Sequence, residues 1–417
     1  MTEKLIPIGV DDFKDIIDCN GYYVDKTEMI DHLLSNRSAN VHLFTRPRRF
    51  GKSLMLSMID AYLNQKYRGG PDRFADLRIS SMRPNDPEKN DNIVISISLK
   101  DLGDGSYRQF EDLLGFKIEN IYERHMELDS SESVDPVSKA SFRAILERRA
   151  DSQTLMASLS RLCSMLHSHH GKKVIVLIDE YDSIINMAHG MKDEHNRIIS
   201  FMRTFLGSTL KFNESLKLAV LTGVMRIPEG SIFPGVENLC VNDVLSTECD
   251  WMYGFTAKEV RQICTCYGRP EKCSEAEEWY GGHRFGNAVV CDPWSIMNYV
   301  KSGFVPGSYW TGTSGNSIVR ELVDSADADT RDDISVMCSG GSIEANLDSN
   351  AVFDDATEIK DALYSVMVMS GYLSAVREGD RFLLSIPNRE IISLFEDTIR
   401  KCSKRRPEAV ERLTDCL

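Results

Sequence analysis

No run of apolar residues in this chain approaches the roughly 20 needed to cross a bilayer as a helix. The first residues, Met1-Thr2-Glu3-Lys4-Leu5-Ile6-Pro7, have neither the charged start nor the apolar core of a secretory signal, so a cytoplasmic protein without membrane contact is expected. Basic charge is also short. Lys and Arg number 49 against 63 Asp and Glu, and a formal net charge of −14 argues against broad electrostatic binding to nucleic acid. The 11 cysteines lack the regular spacing of a disulfide framework. Cys264, Cys266 and Cys273 form the tightest group, but one residue separates the first two where paired metal ligands use two; they read as buried or idle thiols. Internal repeats and long low-complexity tracts are missing as well. What is present is ordinary: 417 residues, 42% hydrophobic and 27% charged, enough for two or three globular domains.

In chain order, an extended piece around Gly21-Tyr22-Tyr23-Val24-Asp25-Lys26-Thr27 precedes a helical pattern through Met29, Ile30, Leu33 and Leu34. An apolar strand is expected over 41–45 and a helix from there to about Lys66, stopped by Gly69-Gly70-Pro71. The β-branched run 93–99 reads as a strand, followed by helical stretches over 107–128 and 138–169. His167, His169 and His170 then fall at a helix C-terminus ahead of Gly171, where such groups suit the dipole. The continuous apolar run 173–178 suits a strand covered on both faces. A helix over 193–210 and strands over 216–222 and 239–244 complete an alternation that implies a parallel sheet sandwiched by helices. From Phe255 the character changes. Thr256 and Glu259 make a capping box, and 255–325 read as mainly helical with aromatic loops. The last part pairs a helix over 359–370 with a hairpin, 372–376 and 381–386, and a final helix over 389–401; a winged-helix module is compatible with this order.

The stretch Arg46-Pro47-Arg48-Arg49-Phe50-Gly51-Lys52-Ser53 stands between the first strand and its helix. A strand, a turn ending in Gly-Lys-Ser and a helix is the layout that cradles nucleotide phosphates. Backbone N–H groups at the helix start face the anion, Lys52 reaches the β/γ-phosphates, and the Ser53 hydroxyl ligates Mg²⁺. Arg48, Arg49, Phe50, Gly51 and Leu54 belong to the same cradle. The missing element is the first Gly of the pattern, whose place is taken by Arg46. An Arg there, followed by Pro47, predicts a stiffer loop with extra positive charge near the phosphates.

The partner of such a loop is an apolar strand that delivers an Asp to the Mg²⁺ shell, with a following Glu able to take a proton from water. Asp179-Glu180 at the end of 174–178 fits both roles. Thr222, at the tip of the next strand, would face the γ-phosphate beside Asp179 and orient the water. An arginine aimed at the transferred phosphoryl group is expected from Arg46, Arg48, Arg49 or Arg226, and spacing alone does not choose among them.

These motifs, with Tyr23-Val24-Asp25-Lys26-Thr27, Leu177-Ile178-Asp179-Glu180-Tyr181-Asp182, Leu221-Thr222-Gly223-Val224, Tyr253-Gly254-Phe255-Thr256, Trp279-Tyr280-Gly281-Gly282-His283-Arg284-Phe285-Gly286, Pro293-Trp294-Ser295, Tyr309-Trp310 and Ile386-Pro387-Asn388-Arg389-Glu390, closely resemble the AAA-ATPase-like proteins of bacteria and archaea. The resemblance runs from about Ile6 to Arg400. It implies an additional-strand P-loop sheet, with Arg46 as a family trait. One departure is Gly281-Gly282-His283, where the family pattern reads Asp-Gly-Tyr. Many relatives continue into a nuclease-like domain. Nothing before Leu417 supplies paired carboxylates and a Lys for metal-dependent cleavage, so nuclease activity is not expected of this chain. Tyr23 and Lys26, ahead of the first strand where adenine often sits in this architecture, are expected nucleotide contacts.

The expected organisation is an N-terminal extension (1–40), a P-loop ATPase domain (41–250), a helical lid (251–328) and a C-terminal α+β module (329–417). The expected activity is Mg²⁺-dependent ATP hydrolysis that moves the lid and the C-terminal module. The alternative is a nucleotide-gated switch or DNA-binding regulator with little turnover. It draws on the hairpin-bearing module and the basic run Lys401-Cys402-Ser403-Lys404-Arg405-Arg406. Expected partners are ATP, DNA or a separately encoded effector protein, and further copies of the chain.

Overall fold

Val41–Thr45 (β1) is buried along its whole length and ends at the phosphate-loop motif. Around it, in the computed structural model, lie Ile93–Ser98 (β2), Val174–Asp179 (β3), Leu216–Gly223 (β4) and Leu239–Asn242 (β5), in the order β2-β3-β4-β1-β5. The structure describes residues 4–36, 39–184, 192–227, 232–233, 236–313, 327–351 and 359–405. Every pairing in this sheet is parallel. β4, last but one in the chain, inserts between β1 and β3, which is the additional-strand P-loop arrangement. The insertion has a chemical consequence: the register sets Phe44 beside Thr222 and Ile178 beside Leu221, so the tips of β1, β4 and β3 stand in a row.

Side-chain alternation sends successive residues of each strand to opposite faces. Val41, Leu43, Ile95, Val176, Ile178 and Leu221 join one core with the helices Tyr107–Tyr122, Ser158–His170 and Lys192–Leu210. Phe44, Ile175, Leu177 and Val220 join another with the helices Glu28–Ser35 and Lys52–Leu63. That second core does not stop at the sheet. It runs on through Phe285 and Trp310 to Met367 and Phe395, so the phosphate-loop helix and the end of the chain share one packed interior.

The helical reading of 138–169 is corrected to three pieces: Pro136–Leu146, Ser152–Met156 and Ser158–His170. Asp135 and Asp151 supply side-chain N-caps that start the first two. Gly171 caps the last in the left-handed conformation, with the three histidines in its final turn. The segment 251–301 contains the capping box, with Thr256 and Glu259 bonded reciprocally, and the helices Ala257–Cys266, Cys273–Tyr280 and Pro293–Lys301. It also contains an antiparallel sheet of Phe255–Thr256 (β6), His283–Phe285 (β7) and Ala288–Cys291 (β8), in the order β6-β8-β7. Two to four residues per strand are too few for alternation to show in a sequence. The last part runs helix Ala328–Cys338, strand Ile343–Ala345 (β9), helix Lys360–Met369, hairpin Ser374–Glu378 (β10) and Arg381–Ser385 (β11), then helix Arg389–Arg405. Its sheet order is β10-β11-β9. The side chains of the basic run 401–406 lie outside the described residues. Among the described residues, no helix is long and apolar enough to cross a membrane.

Candidate nucleotide site

Gly51, at φ +84°, turns the loop into the helix that begins at Lys52. Arg49, at φ +68°, shares the left-handed region, which costs a non-glycine residue on the order of 1–3 kcal/mol. Lys52 is buried, and its Nζ donates to the carbonyls of Arg46 (2.9 Å) and Pro47 (2.8 Å), bracing the loop across its own turn. Burial pulls the ammonium down to about 8; the carboxylates of Asp182, Asp179 and Glu180 oppose that fall.

Asp179 is gripped from two sides. Ser53 Oγ donates to its Oδ2 at 2.5 Å, and Thr222 Oγ1 donates to its Oδ1. One carboxylate thus joins the start of the phosphate-loop helix, the end of β3 and the tip of β4. Glu180 follows at φ +52°, a second strained non-glycine position, and its N–H donates to Asp179 Oδ1 at 3.0 Å. Its carboxyl is pushed up chiefly by burial and then by the Asp179 charge. The next two residues do what sequence reasoning had not assigned. Asp182, buried and raised by that burial, accepts the N–H groups of Val224 (3.0 Å) and Met225 (2.8 Å). Tyr181 Oη donates to the Met225 carbonyl (2.9 Å) and accepts from the Ile227 N–H (3.0 Å). Together they pin the chain that leaves Thr222. Gly223 is required at this closure, because a Cβ there would lie 2.6 Å from the Tyr181 ring and 2.7 Å from Asp182 Oδ1. The only available signal was the run of Asp-Glu-Tyr-Asp itself, one charge and one tyrosine beyond the pair that the chemistry needs.

Oxygen donors of this kind, one carboxylate and one hydroxyl, suit Mg²⁺, which keeps several waters and takes further ligands from substrate phosphates. Among the described residues no group of three or more His, Cys, Asp or Glu side chains is placed to hold a metal ion.

Residues 7–233 match the family model described as Predicted AAA-ATPase. This chain belongs to the AAA-ATPase-like family. An uncharacterized protein in the vnfD 5′ region of Azotobacter chroococcum mcd 1 is 26% identical over 431 residues, spanning 99% of this chain and 73% of that one. Among solved structures, a DNA replication initiation factor aligns over 93% of this chain and 92% of its own at 12% identity; its TM-score of 0.27 is too low to add to the strand order.

In this AAA-ATPase-like chain the expected site residues divide into two groups. Lys52, Ser53, Asp179, Glu180 and Thr222 converge, as described. Arg46 does not join them. Its backbone N–H continues the β1–β4 ladder to the Gly223 carbonyl (3.1 Å), so its side chain falls on the same face as Phe44. There the guanidinium is fully buried, donating to the carbonyls of Thr45 (2.8 Å) and Asn242 (2.9 Å) and to Asn242 Oδ1 (2.6 Å), about 5 Å from the ring centres of Tyr253 (5.1 Å) and Phe285 (5.2 Å). The expectation of added charge at the phosphates is therefore corrected: Arg46 is a strut beneath the loop. Lys26 is likewise committed elsewhere, in a buried ion pair with Glu259 (2.8 Å) and a bond to the Trp251 carbonyl (2.8 Å). Tyr23 Oη donates to Met58 Sδ (3.0 Å), on the phosphate-loop helix. Arg226 reaches Ser349 Oγ at 3.4 Å, toward the last part of the chain.

Arg48 and Arg49 stay exposed at the loop's crest. Residues late in the chain surround them. Arg49 lies 4.3 Å over the Trp294 ring, and Trp310 Nε1 donates to the Arg48 carbonyl at 3.1 Å. Phe50 is buried against His283 and Phe285, each 5.1 Å away centre to centre. Leu54 packs at the edge of the same core. Gly371, at φ +85°, approaches Pro47 so closely that a Cβ would come within 2.8 Å of the ring. His283, in the family's Tyr position, is fully buried and pushed down to about 3, so it is neutral and accepts from Asn388 Nδ2 at 3.2 Å. Glu390 closes the arrangement by accepting from Ser295 Oγ (2.8 Å) and from the N–H groups of Trp310 (2.7 Å) and Thr311 (3.0 Å). The motifs around Trp294, Trp310 and Asn388 thus fasten residues 283–311 and the last helix to the loop.

Proposed function

We propose that this protein binds ATP with Mg²⁺ and hydrolyses it, and that the cycle moves a lid (251–328) and a C-terminal module (329–417) against the ATPase core (41–250). The observation that carries the reading is Asp179, held at once by Ser53 from the loop and Thr222 from the neighbouring strand. Lys52 would neutralise β/γ-phosphate charge, exchanging its bonds to the loop carbonyls for phosphate oxygens. Ser53 and Asp179 would hold Mg²⁺, which when bound polarises the phosphates and offsets their charge. Glu180 would take the proton of the attacking water; a carboxyl raised by burial is a stronger base than a solvated one. Thr222 would hand its hydroxyl from Asp179 to that water. Arg48 and Arg49 are the arginines whose exposure leaves them able to meet the γ-phosphate.

Coupling is supported by the contacts of Trp294, Trp310, His283 and Gly371 with the loop, which tie phosphate occupancy to later parts of the chain. Glu180→Gln should keep ATP affinity within a few-fold while steady-state turnover falls on the order of 10²–10⁴-fold. Unchanged hydrolysis in that variant removes Glu180 from the role.

A nucleotide-gated DNA-binding regulator is the second reading. Its support is the helix–strand–helix–hairpin order of the last part with sheet order β10-β11-β9, which is the order of a winged helix. Duplex DNA binding that depends on ATP, with no turnover under any condition, would favour it over hydrolysis.

A further inference from the structure

The parallel sheet has an open edge at β2, and the backbone there identifies which groups are unpaired. Leu99 N–H donates to the Asp179 carbonyl at 2.9 Å, so odd-numbered residues of this strand face β3. Asn92 faces the other way. Its N–H donates to the Leu63 carbonyl (2.9 Å) and its carbonyl accepts from Gln65 N–H (2.7 Å), a single parallel bridge centred on Asn64. The chain then leaves the edge through a 3₁₀ turn, Gln65–Tyr67. Strand alternation carries the outward direction on to Val94 and Ser96, whose N–H and C=O groups find no further partner among the described residues.

These groups open into a cleft of about 470 Å³, floored by Ile93, Val94, Ile95 and Ser96 and walled by Ile121 and Gln65. Edge strands are normally covered, shortened or charged so that nothing pairs with them; this one lies at the floor of a cleft instead. The rim is basic in a chain of net charge −14. Lys66, Arg68 and Arg124 line it against one carboxylate, Glu127. Lys66 and Arg68 are ion-paired with Asp60 and Asp91, so of the three cations Arg124 alone has no carboxylate partner among the described residues.

We propose that this cleft docks an extended acidic segment of a partner protein, which continues the Asn64 bridge as an added strand on Val94 and Ser96. Main-chain bonds would supply the affinity and the basic rim the choice of acidic side chains. The site is separate from the nucleotide but mechanically joined to it: the helix that begins at Lys52 ends at Leu63, one residue before the bridge.

The test uses the full chain and a fluorescein-labelled octapeptide of alternating valine and glutamate, with a lysine-for-glutamate version beside it. The acidic peptide should bind, the basic one should not, and binding should slow hydrogen exchange at the Val94 and Ser96 amides at least about tenfold. Ser96→Pro deletes one outward N–H at an edge position that tolerates proline and should weaken binding about tenfold. Arg124→Glu, a surface change that does not disturb the strand, should also weaken it several-fold. Absence of binding, equal binding of the two peptides, or binding that leaves Val94 and Ser96 exchange unchanged overturns the proposal. So does displacement of the peptide by a short oligonucleotide without that protection, which would mark the rim as a phosphate surface.

Discussion

Asp179 and Arg48 belong to two halves of the candidate nucleotide site, and different parts of the chain hold them in place. Asp179 sits at the tip of a strand buried on both faces, and its partners Ser53 and Thr222 come from the adjoining helix and the neighbouring strand. Tyr181 and Asp182 close that side with bonds to residues 42 to 46 positions away, still inside the sheet domain. Arg48 is held from outside, by an indole 262 positions further on, while Pro47 and Phe50 meet Gly371 and His283. The acidic side is therefore held by bonds made within the sheet domain. The loop side is contacted by residues 283–310 and by the last part of the chain. A motion of those parts would reposition the loop while leaving the acids where they are. That is the division expected of a machine in which chemistry stays fixed and binding is the moving variable.

Breaking the acidic side should give the largest effect. Asp179→Asn keeps the shape and loses the charge that both hydroxyls bond. Turnover should fall on the order of 10²–10⁴-fold, with the thermal midpoint little changed. Steady-state hydrolysis beside a melting curve measures both. A large loss of stability with intact turnover per folded molecule would reverse the assignment of the acidic half.

The next effect belongs beneath the loop. Arg46→Gly restores the usual residue of the phosphate-loop pattern but removes three hydrogen bonds and leaves the Asn242 acceptors without their donor between Tyr253 and Phe285. A cost of about 3 kcal/mol is expected in chemical denaturation, against a much smaller change in ATP affinity for the folded fraction. A variant that gains affinity and keeps stability would show that Arg46 limits the loop and does not support it.

Trp310→Phe separates ring packing from the bond to Arg48. The ring still meets Tyr372, whose centroid is 5.0 Å away, while the N–H is lost. One hydrogen bond of this kind is worth about 1 kcal/mol, or about fivefold in ATP affinity, with kcat moving less. If isothermal titration shows affinity unmoved, the loop does not depend on the lid and the comparison fails on that side.

How legible each side was in the sequence follows from the same contrast. The acidic side was readable because its residues lie at the ends of long apolar runs: 174–178 and 216–221 announce buried strands, and a polar residue at the tip of each has a fixed place in a parallel sheet. The loop side was not. Arg46 has the charge of a phosphate ligand and the burial of a core residue, and only the strand register, which places it on the Phe44 face, decides between them. Trp294, Trp310 and Glu390 were visible as motifs, but contacts spanning hundreds of residues leave no periodicity. The small sheet β6-β8-β7 escaped because its strands are shorter than any repeat that could betray them.

The smallest effect is a pH dependence that separates the two sides in one measurement. Burial holds Lys52 at about 8, well below the usual value of 10.5, before any phosphate reaches it. The charged form is the one that can meet an anion, so raising the pH from 7 to 8 should take its ionised fraction from about nine-tenths to about half. On that basis kcat/KM for ATP should fall about twofold over that interval and more steeply above it. Saturating ATP supplies the opposite charge that restores the cation, so kcat should lack this alkaline limb. The acid limb has a different owner. Glu180 works as a base only when ionised, and burial followed by Asp179 raises it above the ordinary carboxylate value of 4.5. Activity should therefore be lost, as pH falls, before a solvated carboxylate would protonate, in kcat as well as kcat/KM. Trp310→Phe should leave both limbs in place while lowering the whole kcat/KM curve, because it disturbs the loop's position and neither ionisation. A profile flat from pH 7 to 9 would mean that Lys52 leaves its burial before ATP arrives, and that the loop is already loose when the nucleotide binds.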